Sequence, residues 1–308
     1  MTRRVEIEQA VPGLREYARD ATRLRPVPGE PGVAESSVGG PLLWPGDEAW
    51  PLCTDGDHYL DRLLTVETVW RQRRIYAAAE ARAAATGKPY EVTDAERAEL
   101  PGNDYSEPHA AARQAIAFVP VAQLYRRDVP GIDWPAGADL LQVLWCPLDH
   151  ESTGYNPRVE LRWRRAADVG ATLESVPQPA VVNEDYLVTP CVVRPEVVRE
   201  HEYDGLLPDR LRKQAERWAA RRGLDYDDDL SVAPGWKVGG YASWALSDWH
   251  AVDCVACGSP MKLLITAASS EDDGAPRTPT DVVIGRGYSL YVFVCPQDAR
   301  HPVGTAMQ

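Results

Sequence analysis

Cysteines and a histidine near the C-terminal end of the chain have the spacing of a zinc site. Cys254 and Cys257 form a Cys-x-x-Cys pair followed by glycine, Cys295 comes later, and His301 follows it by six residues. A Cys-x-x-Cys turn directs two sulfur atoms towards one point, and the glycine after it is typical of the knuckle of zinc ribbons. A Cys and His pair from a neighbouring strand end would complete a tetrahedral set of ligands. The pattern predicts a structural zinc ion.

A second set of the same residue types lies in the first half of the chain. Cys53 and His58 are separated by four residues, and Cys146 and His150 by three. Each pair combines one sulfur with one imidazole nitrogen, so together they offer the four ligands that a closed zinc site needs. His109 competes with His58, since either could lie beside the strand that carries Cys146. We therefore predict one or two structural zinc ions in all.

Other readings of these cysteines stay open at this stage. Buried thiols near strand ends are commonly inert core residues. Cys254 and Cys257 could instead form a redox pair, although no thioredoxin-like strand and helix pattern surrounds them. Cys191 has no companion in the sequence, and we interpret it as a buried thiol.

A catalytic zinc ion is the alternative to a structural one. It would need three protein ligands, a bound water and a nearby base. His150 or His58 would then lie on an open zinc ion of a hydrolase, with Asp149 or Glu151 as the base. The sequence contains no metalloprotease, serine hydrolase, phosphate-binding or dinucleotide-binding motif. We therefore favour a binding or scaffold protein over an enzyme and assign no catalytic residue.

The elements around the two sets of ligands occur twice in the same order. The sequence VGGPLLWPGDEAWPLC at 38–53 resembles VGGYASWALSDWHAVDC at 238–254. Each stretch is followed by two apolar segments of strand length, and the second of these ends in Cys-Pro-x-Asp. The sequence therefore predicts an internal duplication, with a first β-rich repeat at 1–185 and a second at 186–308. The glycine pairs would turn the chain where a side chain would clash, and the tryptophans would fill the core.

Helical patterns interrupt this β-rich frame. Residues 12–24 carry apolar side chains at helical spacing, and Pro12 suits a first helical turn. Residues 60–86 have the strongest helical pattern, and they form with 93–100 a helical insertion of the first repeat at about 60–108. A further helix at 208–222 is bounded by Pro208 and Gly223. We predict a β-rich α+β fold made of duplicated sheet units.

Charge and hydropathy narrow the classes of partner. The 308 residues carry a net charge of −13, which disfavours binding to nucleic acid or to an anionic membrane. The N-terminal residues lack the apolar segment of a secretory signal, and no run of about 18 apolar residues occurs. The expected location is the cytoplasm, and a basic protein is the partner that the acidic charge would suit.

Several quoted stretches resemble those of a bacterial family. SSVGGPLLWPGDEAWPLC, LLQVLWCPLDH, KVGGYASW and DCVACGSPMKLLI are similar to sequences of the YwqG-like proteins, above all to actinobacterial members with tryptophan-rich repeats and paired cysteines. The resemblance covers about 12–60 and 110–308, and the insertion departs from it. It implies a β-rich α+β fold, no established enzyme activity, and a binding role of the kind that immunity proteins have.

Overall fold

Two six-stranded antiparallel sheets dominate the computed structural model, which describes residues 3–102, 105–271 and 278–308. The strands are β1 Ala18–Arg23, β2 Val27–Pro28, β3 Ser37–Val38, β4 Leu52–Cys53, β5 Ile116–Ala117, β6 Val119–Tyr125, β7 Leu140–His150, β8 Asn156–Arg164, β9 Cys191–Val192, β10 Glu196–His201, β11 Lys237–Gly239, β12 Lys262–Ala268, β13 Ser289–Val294 and β14 Gly304–Met307. The helices are α1 Arg3–Ala10, α2 Val66–Thr86, α3 Asp94–Glu99, α4 Ser106–Ala111 and α5 Asp209–Ala220. The predicted β-rich α+β class is confirmed.

The two large sheets repeat one strand order. The first sheet runs β2-β9-β3-β6-β7-β8 and the second runs β10-β1-β11-β12-β13-β14. The strands that lead into the two Val-Gly-Gly stretches, β3 and β11, occupy the same place in their sheets, and three antiparallel strands follow each of them. The predicted duplication of sheet units is therefore present in the fold.

The two repeats exchange their first strands. β1 belongs to the first half of the chain, yet it pairs with β10 and β11 of the second half. β9 belongs to the second half, yet it lies between β2 and β3 of the first half. The boundary between 185 and 186 was placed from sequence alone and stays a prediction, but pairing of strands crosses it in both sheets.

Glycine is required where each Val-Gly-Gly strand ends. Gly39 has φ +67° and Gly239 has φ +69°, a left-handed conformation that favours glycine. A side chain at Gly39 would also come within 2.7 Å of Val188 Cγ1. The turn brings the following segment, with Trp44 or Trp244, back over the outer face of its own sheet.

The inner faces of the two sheets share one apolar core. It includes Val121 and Val143 from the first sheet and Ile265 and Val292 from the second. Smaller apolar clusters cover the outer faces, around Trp44 on the first sheet and around Trp244, Tyr291 and Phe293 on the second. Trp50 is buried at 8% exposure, whereas Trp249 is 48% exposed, so the expectation that the repeated tryptophans all fill the core is wrong for Trp249.

The predicted helical insertion is also present. α2 begins after Thr65, whose hydroxyl accepts a hydrogen bond from Thr68 N–H, and it ends at Gly87 in the left-handed conformation. Thr93 and Glu96 cap the start of α3 reciprocally. α4 completes the insertion, of which residues 103–104 lie outside the described part. Among the described residues, no helix has both the length and the apolar character that crossing a membrane requires.

The helix predicted at 12–24 is wrong. Residues Pro12–Tyr17 form a short 3-10 helix, and Ala18–Arg23 form β1. The N-terminal helix α1 precedes them, and Ile7 and Leu14 pack with α5 in a separate apolar cluster. Pairing of β1 with neighbours on both sides outweighs the helical spacing of its apolar residues.

Candidate metal centres

The structure brings the first four predicted ligands together. Cys53, His58, Cys146 and His150 lie at one place, with all ligand atoms within 4.8 Å of one another. His58 Nε2 lies 3.3 Å from Cys53 Sγ and 3.6 Å from Cys146 Sγ. His150 Nε2 lies 3.8 Å from Cys53 Sγ. We call this group the first cluster. His109 is not a member of it.

Three elements position the first cluster. Cys53 ends β4, which pairs with β5 at Ile116. Cys146 and His150 belong to β7, where the register against β8 shifts between Trp145 and Asp149. His58 lies in the loop after β4 and forms an isolated bridge with His150, so the loop runs beside the end of β7. Cys53, Cys146 and His150 are buried.

Each imidazole of the first cluster has a hydrogen-bond partner at its Nδ1 atom. His58 Nδ1 is 2.9 Å from the carbonyl oxygen of Ala112, just after α4. His150 Nδ1 is 3.1 Å from Asp57 Oδ1, and the other oxygen of Asp57 accepts a hydrogen bond from Ser152 N–H. These partners leave each Nε2 as the nitrogen that meets the sulfur atoms, the usual arrangement around metal-bound histidines. The sequence did not single out Asp57 or Ala112.

The second four predicted ligands also meet. Cys254, Cys257, Cys295 and His301 have all their ligand atoms within 4.8 Å of one another. His301 Nδ1 lies 3.5 Å from Cys254 Sγ and 3.4 Å from Cys295 Sγ. The sulfurs of Cys257 and Cys295 are 3.5 Å apart. We call this group the second cluster.

A tight turn presents the first two ligands of the second cluster. Gly258 N–H donates to the carbonyl oxygen of Cys254 at 2.7 Å, and Gly258 has φ +71°. Cys254 N–H donates to the carbonyl oxygen of Ser259, which closes the turn. Cys295 directly follows β13, and its sulfur accepts a hydrogen bond from Gln297 N–H. This is the knuckle that the Cys-x-x-Cys-Gly sequence predicts.

The donor atoms in both clusters suit a tetrahedral zinc ion. With zinc to sulfur distances of about 2.3 Å and zinc to nitrogen distances of about 2.0 to 2.1 Å, a tetrahedron separates sulfur from nitrogen by about 3.6 Å and two sulfurs by about 3.8 Å. The sulfur to nitrogen separations run from 3.3 to 3.8 Å in the first cluster. They are 3.4 and 3.5 Å in the second. Each cluster can therefore hold one metal ion.

Electrostatics favour thiolates at two of the positions. Hydrogen bonding with Cys146 and then with His150 and His58 lowers the pKa of Cys53 to about 3. Burial raises the pKa of its neighbour Cys146. Hydrogen bonding with Ser259 lowers the pKa of Cys257 to about 6. A thiolate is the form of cysteine that binds metal, so the lowered pKa values of Cys53 and Cys257 favour binding of a cation.

The two clusters differ in their exposure. In the first, both cysteines and His150 are buried, and Cys53 and Cys146 belong to the apolar cluster on the outer face of the first sheet. In the second, Cys257 is exposed. The neighbouring Val255, inside the knuckle, is 86% exposed. Solvent therefore reaches the second cluster through one of its own ligands.

The remaining cysteine and histidines lie elsewhere. Cys191 is buried and its thiol donates to the carbonyl oxygen of Pro279, as expected for an isolated core cysteine. His201 is buried between the carbonyl oxygen of Leu230 and the carboxylate of Glu8. His250 packs edge-on against Trp244.

Asp149, one of the two bases predicted for a hydrolase, has other contacts. The carboxylate of Asp149 accepts hydrogen bonds from Tyr186 Oη at 2.5 Å and from the side-chain amide of Asn183. Burial raises the pKa of Asp149. Asp55 and Asp57 lie at 3.9 and 3.1 Å from His150 Nδ1, and Asp55 also forms an ion pair with Arg158. These carboxylates approach the imidazole from the side away from the sulfur atoms.

Comparison with known proteins adds no family. The sequence matches no protein-family model, and no curated protein matches it. The resemblance to YwqG-like proteins therefore stays a prediction.

Proposed function

We propose that the chain is a binding or scaffold protein whose two sheets are each stabilised by one structural zinc ion. The observation that carries this proposal is the geometry of the clusters, in which four sulfur and nitrogen atoms lie within 4.8 Å of one another at each place. Sulfur and imidazole ligands are those that zinc prefers in closed sites.

The number of protein ligands favours a structural over a catalytic ion. A catalytic zinc ion keeps one position for water, whereas each cluster here supplies four protein ligands. The alternative, a metal-dependent hydrolase with an open zinc ion in the first cluster, would need one of these four to be displaced. The contacts of Asp149 with Tyr186 and Asn183 give it less support as a base.

Each ion would join segments that are distant in sequence. In the first cluster, zinc would link the end of β4 and its loop to the end of β7, and through Ala112 to the helical insertion. In the second, it would link the knuckle to the segment between β13 and β14. Short strands and loops gain stability from such links because the ion binds only when the ligands are assembled.

Elemental analysis of the intact protein, purified without a histidine tag or added metal, tests the proposal. We expect two zinc ions per chain, one in Cys146→Ser, one in Cys254→Ser, and two in the matched control Cys191→Ser. Chelation should lower the thermal midpoint of unfolding in the wild type. Folded wild-type protein that contains no metal would overturn the proposal. A wild-type protein that keeps its fold on chelation but loses a hydrolytic activity would overturn it as well.

For the partner, we propose a basic protein. The net charge of −13 would attract a basic surface and repel polyanions, and the resemblance to YwqG-like proteins implies a binding role. A pull-down from native lysate should recover a basic protein whose retention falls as salt is raised. Recovery of nucleic acid, or of no partner, would count against this role.

A further inference from the structure

The duplicated sheets carry matching rows of polar residues on their outer faces. In the first sheet, Gln123 pairs with the residue before Val38 and with Gln142. In the second, Thr266 pairs with the residue before Val238 and with Tyr291. The corresponding residues are therefore Ser37 and Lys237, Gln123 and Thr266, and Gln142 and Tyr291.

The carboxamide of Gln123 fills the space above the first sheet. Its oxygen accepts hydrogen bonds from Leu43 N–H at 2.6 Å and from the side-chain amide of Gln142 at 3.0 Å. Its nitrogen donates to the carbonyl oxygens of Val33 at 2.8 Å and Glu35 at 3.2 Å. One side chain thereby joins the segments before and after the Val-Gly-Gly strand.

The same space above the second sheet is a cavity of about 270 Å³. Ala233, Gly235 and Ser243 line it, at the positions that correspond to Val33, Glu35 and Leu43, and Ser243 N–H donates to Tyr291 Oη at 3.3 Å. Thr266, at the place of Gln123, is too short to reach them. Within the described part of the chain, its hydroxyl has no hydrogen-bond partner, although the residue is only 2% exposed. A buried hydroxyl without a partner costs stability unless something binds it.

Charge around the cavity disfavours anions. Lys237 lies in its lining, but its ammonium group is 2.5 Å from the buried carboxylate of Glu200 and also donates to the carbonyl oxygen of Tyr241. Asp227 and Asp228 line the cavity as well. A neutral or cationic polar molecule fits these charges better than a carboxylate or phosphate.

We propose that this cavity binds a small neutral molecule that carries a primary carboxamide. The bound amide would take the place that the side chain of Gln123 occupies in the first sheet, and Thr266 would supply its hydroxyl to the amide oxygen. A volume of about 270 Å³ lies just below the usual range of ligand pockets, so the ligand is the size of a free amino acid. The site is separate from both metal clusters and does not depend on zinc.

Titration of the full-length protein with L-glutamine tests the proposal, with L-glutamate as a control of equal size. Isotope labelling of threonine methyl groups allows Thr266 to be followed by NMR, and calorimetry gives the affinity. We expect a saturable shift of the Thr266 methyl signal with glutamine, and binding of glutamate at least about tenfold weaker because its carboxylate cannot donate.

Two variants separate filling of the cavity from loss of the hydroxyl. Thr266→Gln supplies a carboxamide from the chain and should abolish binding of glutamine while raising the thermal midpoint of unfolding. Thr266→Val keeps the space, removes the hydroxyl and should weaken binding about tenfold. If Thr266→Gln fails to fold, Thr266→Val still tests the site. Absence of a saturable shift, equal binding of glutamate, or undiminished binding in Thr266→Val would overturn the proposal.

Discussion

Replacing Asp57 by asparagine should weaken zinc binding at the first cluster without altering any ligand. Asp57 uses its two carboxylate oxygens separately, one towards His150 Nδ1 at 3.1 Å and one towards Ser152 N–H at 3.0 Å. Asparagine has nearly the same shape but only one acceptor oxygen. Either His150 or Ser152 would then face an amide nitrogen that cannot accept its proton.

The size of the effect follows from this lost contact. A hydrogen bond to a charged group contributes about 1.5 to 3 kcal/mol, and loss of an outer partner of a metal-bound histidine typically reduces affinity by about 10- to 100-fold. The two figures agree, since tenfold in affinity corresponds to about 1.4 kcal/mol. We therefore expect Asp57→Asn to raise the zinc dissociation constant of the first cluster by about 10- to 100-fold.

Competition with a chromophoric chelator measures this change. A Cys254→Ser background leaves the first cluster as the zinc site under study. Asp55→Asn is the matched control, because Asp55 Oδ2 is 3.9 Å from His150 Nδ1, beyond hydrogen-bond distance. The reasoning is refuted if Asp57→Asn binds zinc as tightly as the wild type, or if Asp55→Asn is equally damaging.

Three further predictions concern the second cluster, a buried ion pair and a buried carboxyl group. Hydrogen peroxide should release one zinc ion per chain before the other, and a zinc-binding dye follows the release. The reason is that the exposed Cys257 can form a disulfide with Cys295, whose sulfur lies 3.5 Å away, as peroxide is reduced to water. Release of both ions together would contradict this. Lys237→Met leaves the buried carboxylate of Glu200 without its cation and should cost about 3 to 5 kcal/mol in urea unfolding, so unchanged stability would be evidence against the pair's importance. Burial raises the pKa of Asp185 to about 6. The folded state therefore holds this proton more tightly than the unfolded state, and the free energy of unfolding falls as pH rises from about 4 to about 6. Asp185→Asn should remove this fall from a plot of the urea midpoint of unfolding against pH.

The members of the two clusters could be predicted from the sequence because their pattern is local. The knuckle of Cys254 and Cys257 consists of four consecutive residues followed by a glycine. The first cluster could be predicted because the duplicated elements place Cys and His pairs at matching positions. The partners behind the imidazoles could not be predicted in this way. The carbonyl oxygen of Ala112 reaches His58 across 54 residues of chain, and a carbonyl group leaves no trace in residue type.

The helices of the insertion were predictable from caps and periodicity, whereas β1 was not. Its sequence, ARDATR, has no alternation of apolar and polar residues, and its apolar neighbours match a helix. Its strand conformation comes from pairing with β10 and β11, which are more than 170 residues away. Non-local pairing of this kind has no signal within a short window of sequence.

The exchange of first strands between the repeats has a consequence for the origin of the chain. A single ancestral repeat would leave a gap in its sheet where β1 or β9 now lies, and only the first strand of a second copy could fill it. Such a repeat would be stable as a strand-swapped homodimer with a two-fold axis. Fusion of two genes would then have joined the subunits. Once joined, the halves could diverge, and they now differ in the helices of the insertion and in the exposure of Cys257 in the second cluster.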